Sequence, residues 1–216
     1  ITHLTLCYED MRADFSNSEI LERIKQIVQN TTNVRHNPIL IYGNPGSGKT
    51  SLIQTIYRNF EKWFSCRTLR IIRFTSTTPR SSYNLELLRV ICQQICIALK
   101  LPEGFLPRDA SFDPLYINNW FQSLLRNFED MNQVLVIFID DLHLLNPLDA
   151  DAINALSWLP ITLPKKVHMI CTTSTELEKL RMTPVQKERF KNPDSYLEIP
   201  TPDSLEGKIR KCFSSI

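Results

Sequence analysis

The sequence predicts an α/β three-layer sandwich with a parallel central sheet, and three observations carry that prediction. Short apolar runs alternate with amphipathic helical stretches along most of the chain. The run Val134 to Ile139 is apolar without interruption, as a central strand covered on both faces requires. Three of the five glycines, Gly43, Gly46 and Gly48, fall within six residues, between a strand pattern and a helix pattern. Strands alternating with helices pack as a parallel sheet joined by right-handed crossovers.

The elements follow in order. Ser16-Asn17-Ser18-Glu19 has the form of a capping box, and Ile20, Leu21, Ile24, Ile27 and Val28 follow at helical spacing. Pro38 to Tyr42 reads as a short buried strand, and Lys49 to about Phe64 as an amphipathic helix. Thr68 to Phe74 is a second strand. Tyr83 to Lys100 is a helix with apolar Leu85, Leu88, Ile91, Ile95 and Leu99. Leu101 to Pro114, with three prolines, is a loop or an insertion. Leu115 to Phe128 is helical, with Trp120, Phe121, Leu124 and Leu125 inward. After the strand Val134 to Asp140 come a short helix at Asp149 to Trp158 and a strand at Val167 to Thr172. A short helix at Glu176 to Arg181 and a last strand at Tyr196 to Ile199 complete the pattern. Thr201-Pro202 gives an N-cap with proline at the first helical position, so a new helix is expected there.

The resulting division is a lead-in with a helix over 1–37, a core over 38–200, and the start of a helical module over 201–216. A start at Ile1 and a helix opening near the end give the expectation of an excerpt from something longer. At 43% hydrophobic and 22% charged, the composition is that of a globular domain and excludes disorder. A net charge of +2 provides no basic field for nucleic acid. The longest apolar run has six residues, far short of the roughly 20 that a membrane helix needs. None of the six cysteines forms a CxxC pair. Cys92 and Cys96, one helical turn apart, and Cys171 read as core thiols in a reducing setting, and the expected location is cytoplasmic.

Gly43-Asn44-Pro45-Gly46-Ser47-Gly48-Lys49-Thr50 matches the phosphate-loop pattern G-x-x-x-x-G-K-[ST] in full. Glycines let backbone N–H groups turn inward around phosphates, and the following helix adds its positive end. Lys49 is the expected partner of the β- and γ-phosphates, and the Thr50 hydroxyl the expected Mg²⁺ ligand. The strand Val134 to Ile139 runs into Asp140-Asp141, which looks like a Walker B motif. Asp140 is expected to hold Mg²⁺ through water, and Asp141 to orient the attacking water or stay behind it. Lys49, Asp140 and Asp141 are thus the candidate catalytic residues. The strand Val167 to Ser174 ends in hydroxyls, so Thr172 or Thr173 is a candidate γ-phosphate sensor, with Thr173 carried as the nucleotide-binding choice. His143 reads as a surface or satisfied histidine, Arg80 and Arg89 as solvated charges, and Trp63, Trp120 and Trp158 as core or interface residues.

The order of phosphate loop, Walker B strand and Thr172-Thr173 strand resembles the STAND class of signal-transduction P-loop NTPases. Within it the chain is similar to the NACHT domains of the NACHT-and-WD-repeat and nephrocystin-like proteins. Pro38 to Gly43, Arg73 to Thr77 with Ser81-Ser82, Leu87 to Ile95, and Leu156 to Pro160 with Leu163-Pro164 and Val167-His168 carry the likeness. It implies an AAA+-related, ASCE-type core that closes over ATP, less often GTP, with Mg²⁺. It also implies a homo-oligomer or protein partners engaged through flanking repeats. Many NACHT domains have acidic residues three and four places after the first Walker B aspartate, where this chain has His143 and Leu144. The expected function is a switch module whose Mg-nucleotide binding and slow hydrolysis control the conformation and oligomerisation of a larger multidomain protein; the alternatives are a nucleotide-binding scaffold without turnover, an AAA+ ATPase of DNA replication or loading, and a small-molecule P-loop kinase.

Overall fold

The structure is a computed structural model that describes residues 3–5, 18–101, 113–146 and 155–199. Five parallel strands form its sheet: β1 (Ile39–Tyr42), β2 (Arg67–Phe74), β3 (Gln133–Asp140), β4 (Val167–Thr173) and β5 (Tyr196–Glu198). Their order across the sheet is β2-β3-β4-β1-β5, so β4 lies between the two motif strands β1 and β3. The helices are α1 (Ser18–Thr31), α2 (Lys49–Asn59), α3 (Asn84–Leu99), α4 (Pro114–Arg126) and α5 (Pro184–Phe190).

Alternation along β3 shows how the layers form. Val134, Val136 and Phe138 pack with Ile20, Ile24 and Val28 of α1 and Leu52, Ile53 and Ile56 of α2. Leu135, Ile137 and Ile139 pack on the opposite side with Leu88, Ile91 and Ile95 of α3 and Phe121, Leu124 and Leu125 of α4. A strand sends successive side chains to opposite faces, so a wholly apolar β3 has to be covered twice. The helix α1 shares its apolar layer with β1 and α2, so the lead-in helix and the core are packed together. Cys92, Cys96 and Cys171 lie buried in the α3/α4 layer, and burial raises the pKa values of Cys92 and Cys171.

Three local expectations change. The helix after the phosphate loop stops at Asn59, and Phe60–Trp63 continues as a 3₁₀ turn before Phe64 extends. That tighter turn places fully buried Phe60 against Phe138 and His168. The helix expected at 149–158 lies outside the described residues up to 154, and 155–158 is a turn. Side chains hold that turn: Asn84 Nδ2 donates to Ala155 O, Trp158 Nε1 donates to Asn84 Oδ1, and Gln186 Nε2 donates to Leu156 O and Leu159 O. The helix expected at Glu176 to Arg181 shrinks to the 3₁₀ turn Leu177–Lys179, and α5 follows it. Pro184 keeps Thr183 extended (φ −65°, ψ 154°), which separates the two elements, and Thr183 with Gln186 forms a capping box. The expected helix from Thr201 lies outside the described residues.

At the N-terminal end of β4, His168 is almost wholly buried, and its ring lies 4.7 Å from that of His36. The Thr32 hydroxyl donates to Val28 O and so accepts from His168 Nε2, which carries the proton. Burial lowers both histidine pKa values from the ordinary 6.5. The unfolded chain therefore binds more protons than the folded one once pH drops below that value, and stability falls with pH. Each histidine contributes up to about 1.4 kcal/mol per pH unit in that window. Thermal unfolding followed from about pH 7.5 to about pH 5.5 should show this decline, with a shallower slope in His168→Gln. An unchanged slope in the variant would contradict the assignment.

Candidate functional site: a phosphate loop facing a carboxylate strand

Ligands of open parallel sheets bind beyond the carboxyl ends of the strands, and every motif residue of this chain lies there. The loop leaves β1 at Gly43, whose N–H donates to Thr173 O at 3.2 Å. A methyl group at Gly43 would crowd the Ser47 side chain, so this glycine lets the loop close on itself. Gly46 and Gly48 have φ of 81° and 88°, in the left-handed region that glycine enters without cost. Gly48 is also the N-cap of α2. Asn44 and Pro45 are exposed, while Ser47 is buried with its N–H on Asn44 O. Among the described residues, Ser47 Oγ has no hydrogen-bond partner.

Lys49 is 5% exposed, and its Nζ donates to Gly43 O at 2.7 Å and to Asn44 O at 3.0 Å. Burial lowers its pKa, against the pull of Asp141 and Asp140. Beside it, Thr50 Oγ1 donates to Asp140 Oδ2 at 2.7 Å. This bond spans 90 residues of sequence and ties the start of α2 to the end of β3.

Asp140 is 2% exposed and accepts a second, short bond of 2.5 Å from Thr172 Oγ1. Burial raises its pKa, while the Thr172 and Thr50 hydroxyls oppose that shift. Thr172 also accepts the Asp141 N–H at 2.9 Å. Of the two candidate sensors, then, Thr172 touches the carboxylate. The Thr173 hydroxyl is engaged with the backbone of Thr175, while its carbonyl receives Gly43.

Asp141 is held at φ 56°, left-handed, which is uncommon outside glycine and turns the chain sharply out of β3. Thr75 at the exit of β2 secures that turn, its hydroxyl donating to the carbonyls of Asp140 and Asp141. No sequence motif marks Thr75, which meets Asp140 and Asp141 only because β2 pairs with β3. The turn places His143 so that its Nδ1 accepts the Ser174 N–H at 3.3 Å. Arg80 is exposed and Arg89 pairs with Glu86. Trp158 is core, while Trp63 and Trp120 are half-buried.

The residues fit a phosphate-bound Mg²⁺ nucleotide. Two left-handed glycines open the loop at a helix N-terminus, the buried Ser47 hydroxyl has no partner among the described residues, and the paired oxygens of Thr50 and Asp140 are hard donors of the kind Mg²⁺ takes.

A phosphate loop on β1, a carboxylate at the end of β3 and an added strand between them define a P-loop ATPase core of the AAA+ type. The AAA ATPase domain family matches residues 18–169, and the chain belongs to that family. It is 26% identical over 210 residues to the mouse (Mus musculus) NACHT domain- and WD repeat-containing protein 1, across 95% of this chain and 13% of that protein. It is 30% identical over 174 residues to the mouse NACHT and WD repeat domain-containing protein 2, across 76% of this chain and 9% of that protein. The chain thus spans about a tenth of the length of these relatives. Among solved structures, the Aeropyrum pernix ORC1 protein in complex with DNA matches with a TM-score of 0.61 at 14% identity, over 98% of this chain and 52% of that one. The Cdc6p protein of Pyrobaculum aerophilum matches with a TM-score of 0.52 at 14% identity, over 87% of this chain and 46% of that one. At these identities the two structures report the shared fold. No helix among the described residues is long and apolar enough to cross a membrane.

Proposed function

We propose that this chain is the nucleotide-dependent switch module of a larger multidomain protein, binding Mg-ATP (or Mg-GTP) and hydrolysing it slowly. The observation that carries the reading is the Thr50–Asp140 hydrogen bond, which joins the phosphate loop to the carboxylate strand. In this reading the backbone of Gly43 to Gly48 cradles the phosphates, and Lys49 leaves the loop carbonyls for the β- and γ-phosphates. Thr50 and Asp140 would hold the metal, and Thr173, at the end of β4, would sense the γ-phosphate. Asp141 orients the attacking water. Mg²⁺, when bound, neutralises charge on the phosphate oxygens. Catalysis is positioning and electrostatic stabilisation, without a covalent step on the protein. Self-association and partners held through repeat domains belong to the same proposal, supported by relatives whose names carry WD repeats.

Calorimetric titration with Mg-ATP and Mg-GTP, with phosphate release followed on the same samples, tests the reading. Micromolar-range binding with slow release is the expected result, about −8 kcal/mol. Binding without any release would leave a nucleotide-holding scaffold, and no binding would end the proposal for this chain.

A further inference from the structure

The exits of β3, β4 and β1 are joined by a chain of hydrogen bonds that passes through one side chain with no motif role. His143 Nδ1 accepts the Ser174 N–H at 3.3 Å. The residue before Ser174, Thr173, offers its carbonyl to the N–H of Gly43, the first residue of the phosphate loop, at 3.2 Å. The Thr173 hydroxyl accepts the Thr175 N–H at 3.0 Å, which keeps 173–175 in a compact turn, so the two contacts on neighbouring residues act together. His143 itself is fixed from behind. It sits in the 3₁₀ turn Leu142–Leu144, anchored by left-handed Asp141 and by the Leu144 N–H on Asp141 O at 2.9 Å. Because Nδ1 accepts a backbone N–H, the ring's proton is on Nε2 and the imidazole is neutral. Burial favours that neutral form and Lys49 supports it, while Asp141 opposes them.

We propose that His143 is a positioning residue of the nucleotide site. It fastens the turn after β4 to the end of the carboxylate strand, and through Thr173 it sets the height at which the phosphate loop begins. It works through the loop and takes no proton in the reaction. The inference rests on the nucleotide-binding reading above and names a residue that sets the geometry of the same site. A side-chain acceptor is what the position requires: an asparagine can present an oxygen to Ser174, and an alanine cannot.

The test compares wild type, His143→Ala and His143→Asn in two measurements. One is calorimetric affinity for Mg-ATP, and the other is hydrogen exchange at the Ser174 and Gly43 amides in nucleotide-free protein. His143→Ala should weaken Mg-ATP binding about fivefold to tenfold, the scale of one lost hydrogen bond, and speed exchange at both amides by a similar factor. His143→Asn should restore affinity and protection together, which a merely space-filling role would not do. If wild type binds and His143→Ala binds equally, with unchanged exchange, the inference is overturned and the nucleotide reading stands. Asparagine behaving like alanine would overturn it as well. A wild type that binds no nucleotide removes both. Should His143→Ala fail to unfold cooperatively, His143→Asn decides: wild-type affinity and protection uphold the proposal, and loss of both overturns it.

Discussion

Lys49→Ala is expected to lose Mg-nucleotide binding by about 100-fold or more, the scale of two charge-assisted hydrogen bonds to phosphate. The expectation follows from where the side chain is held. The ammonium is buried against Gly43 O and Asn44 O, at the mouth of the loop, with the Asp140 and Asp141 carboxylates as its charge neighbours. Alanine removes a cation that burial already disfavours; it frees the exposed Asn44 carbonyl to water and leaves the buried Gly43 carbonyl one hydrogen bond short, a cost of about 1–3 kcal/mol that the fold should survive. Calorimetry on a variant that still unfolds cooperatively checks this. An affinity within about threefold of wild type would mean that the loop binds phosphate without its lysine, against the role assigned to it.

Asp140→Asn should separate stability from function. Thr172 accepts the Asp141 N–H, so its own proton goes to Asp140 Oδ1. An asparagine oxygen can keep that bond, and its amide can donate to Thr50 Oγ1 in place of the bond Thr50 now gives. Both contacts survive while the charge disappears. Burial raises the Asp140 pKa from its ordinary 3.8, so the folded chain holds a proton at this carboxyl more tightly than the unfolded chain does. The ionised group therefore costs stability. That cost is absent below the ordinary value, grows as pH rises through it, and is complete above the folded value. At neutral pH, Asp140→Asn is expected to melt above wild type and to lose the Mg²⁺-dependent part of nucleotide affinity. A lower melting temperature, or unchanged Mg²⁺ dependence, would contradict the account. Functional carboxylates held at the expense of stability are a common trade-off.

The sheet and its two helical layers were legible because burial on both faces leaves an uninterrupted apolar strand such as Val134 to Ile139, and because helical periodicity survives in α1, α3 and α4. The phosphate loop was legible because its geometry admits few residues: Gly46 and Gly48 occupy positive φ, and a methyl at Gly43 would crowd Ser47 and Ile199. What was not legible depends on side chains meeting across the sequence. The turn at 155–158 looks helical locally, and Asn84 and Gln186, 71 and 30 residues from the carbonyls they bind, hold it otherwise. Choosing between Thr172 and Thr173 needs the strand's phase relative to β3, which one residue of register reverses. Only the three-dimensional neighbourhood brings Thr75 to Asp140 and Asp141, and His143 to Ser174. The short helix α5 is a different case, since Thr183-Pro184 with Gln186 spells a capping box that could have been read.

In the proposed function the Thr50–Asp140 pair and the phosphate loop form one Mg-nucleotide site. Titrating ATP into the wild-type chain with and without Mg²⁺, by calorimetry, tests it most directly. Saturable binding that tightens about tenfold or more when Mg²⁺ is present, equivalent to about 1.4 kcal/mol, is the expected result. Affinity indifferent to Mg²⁺, or no binding in either condition, would contradict it.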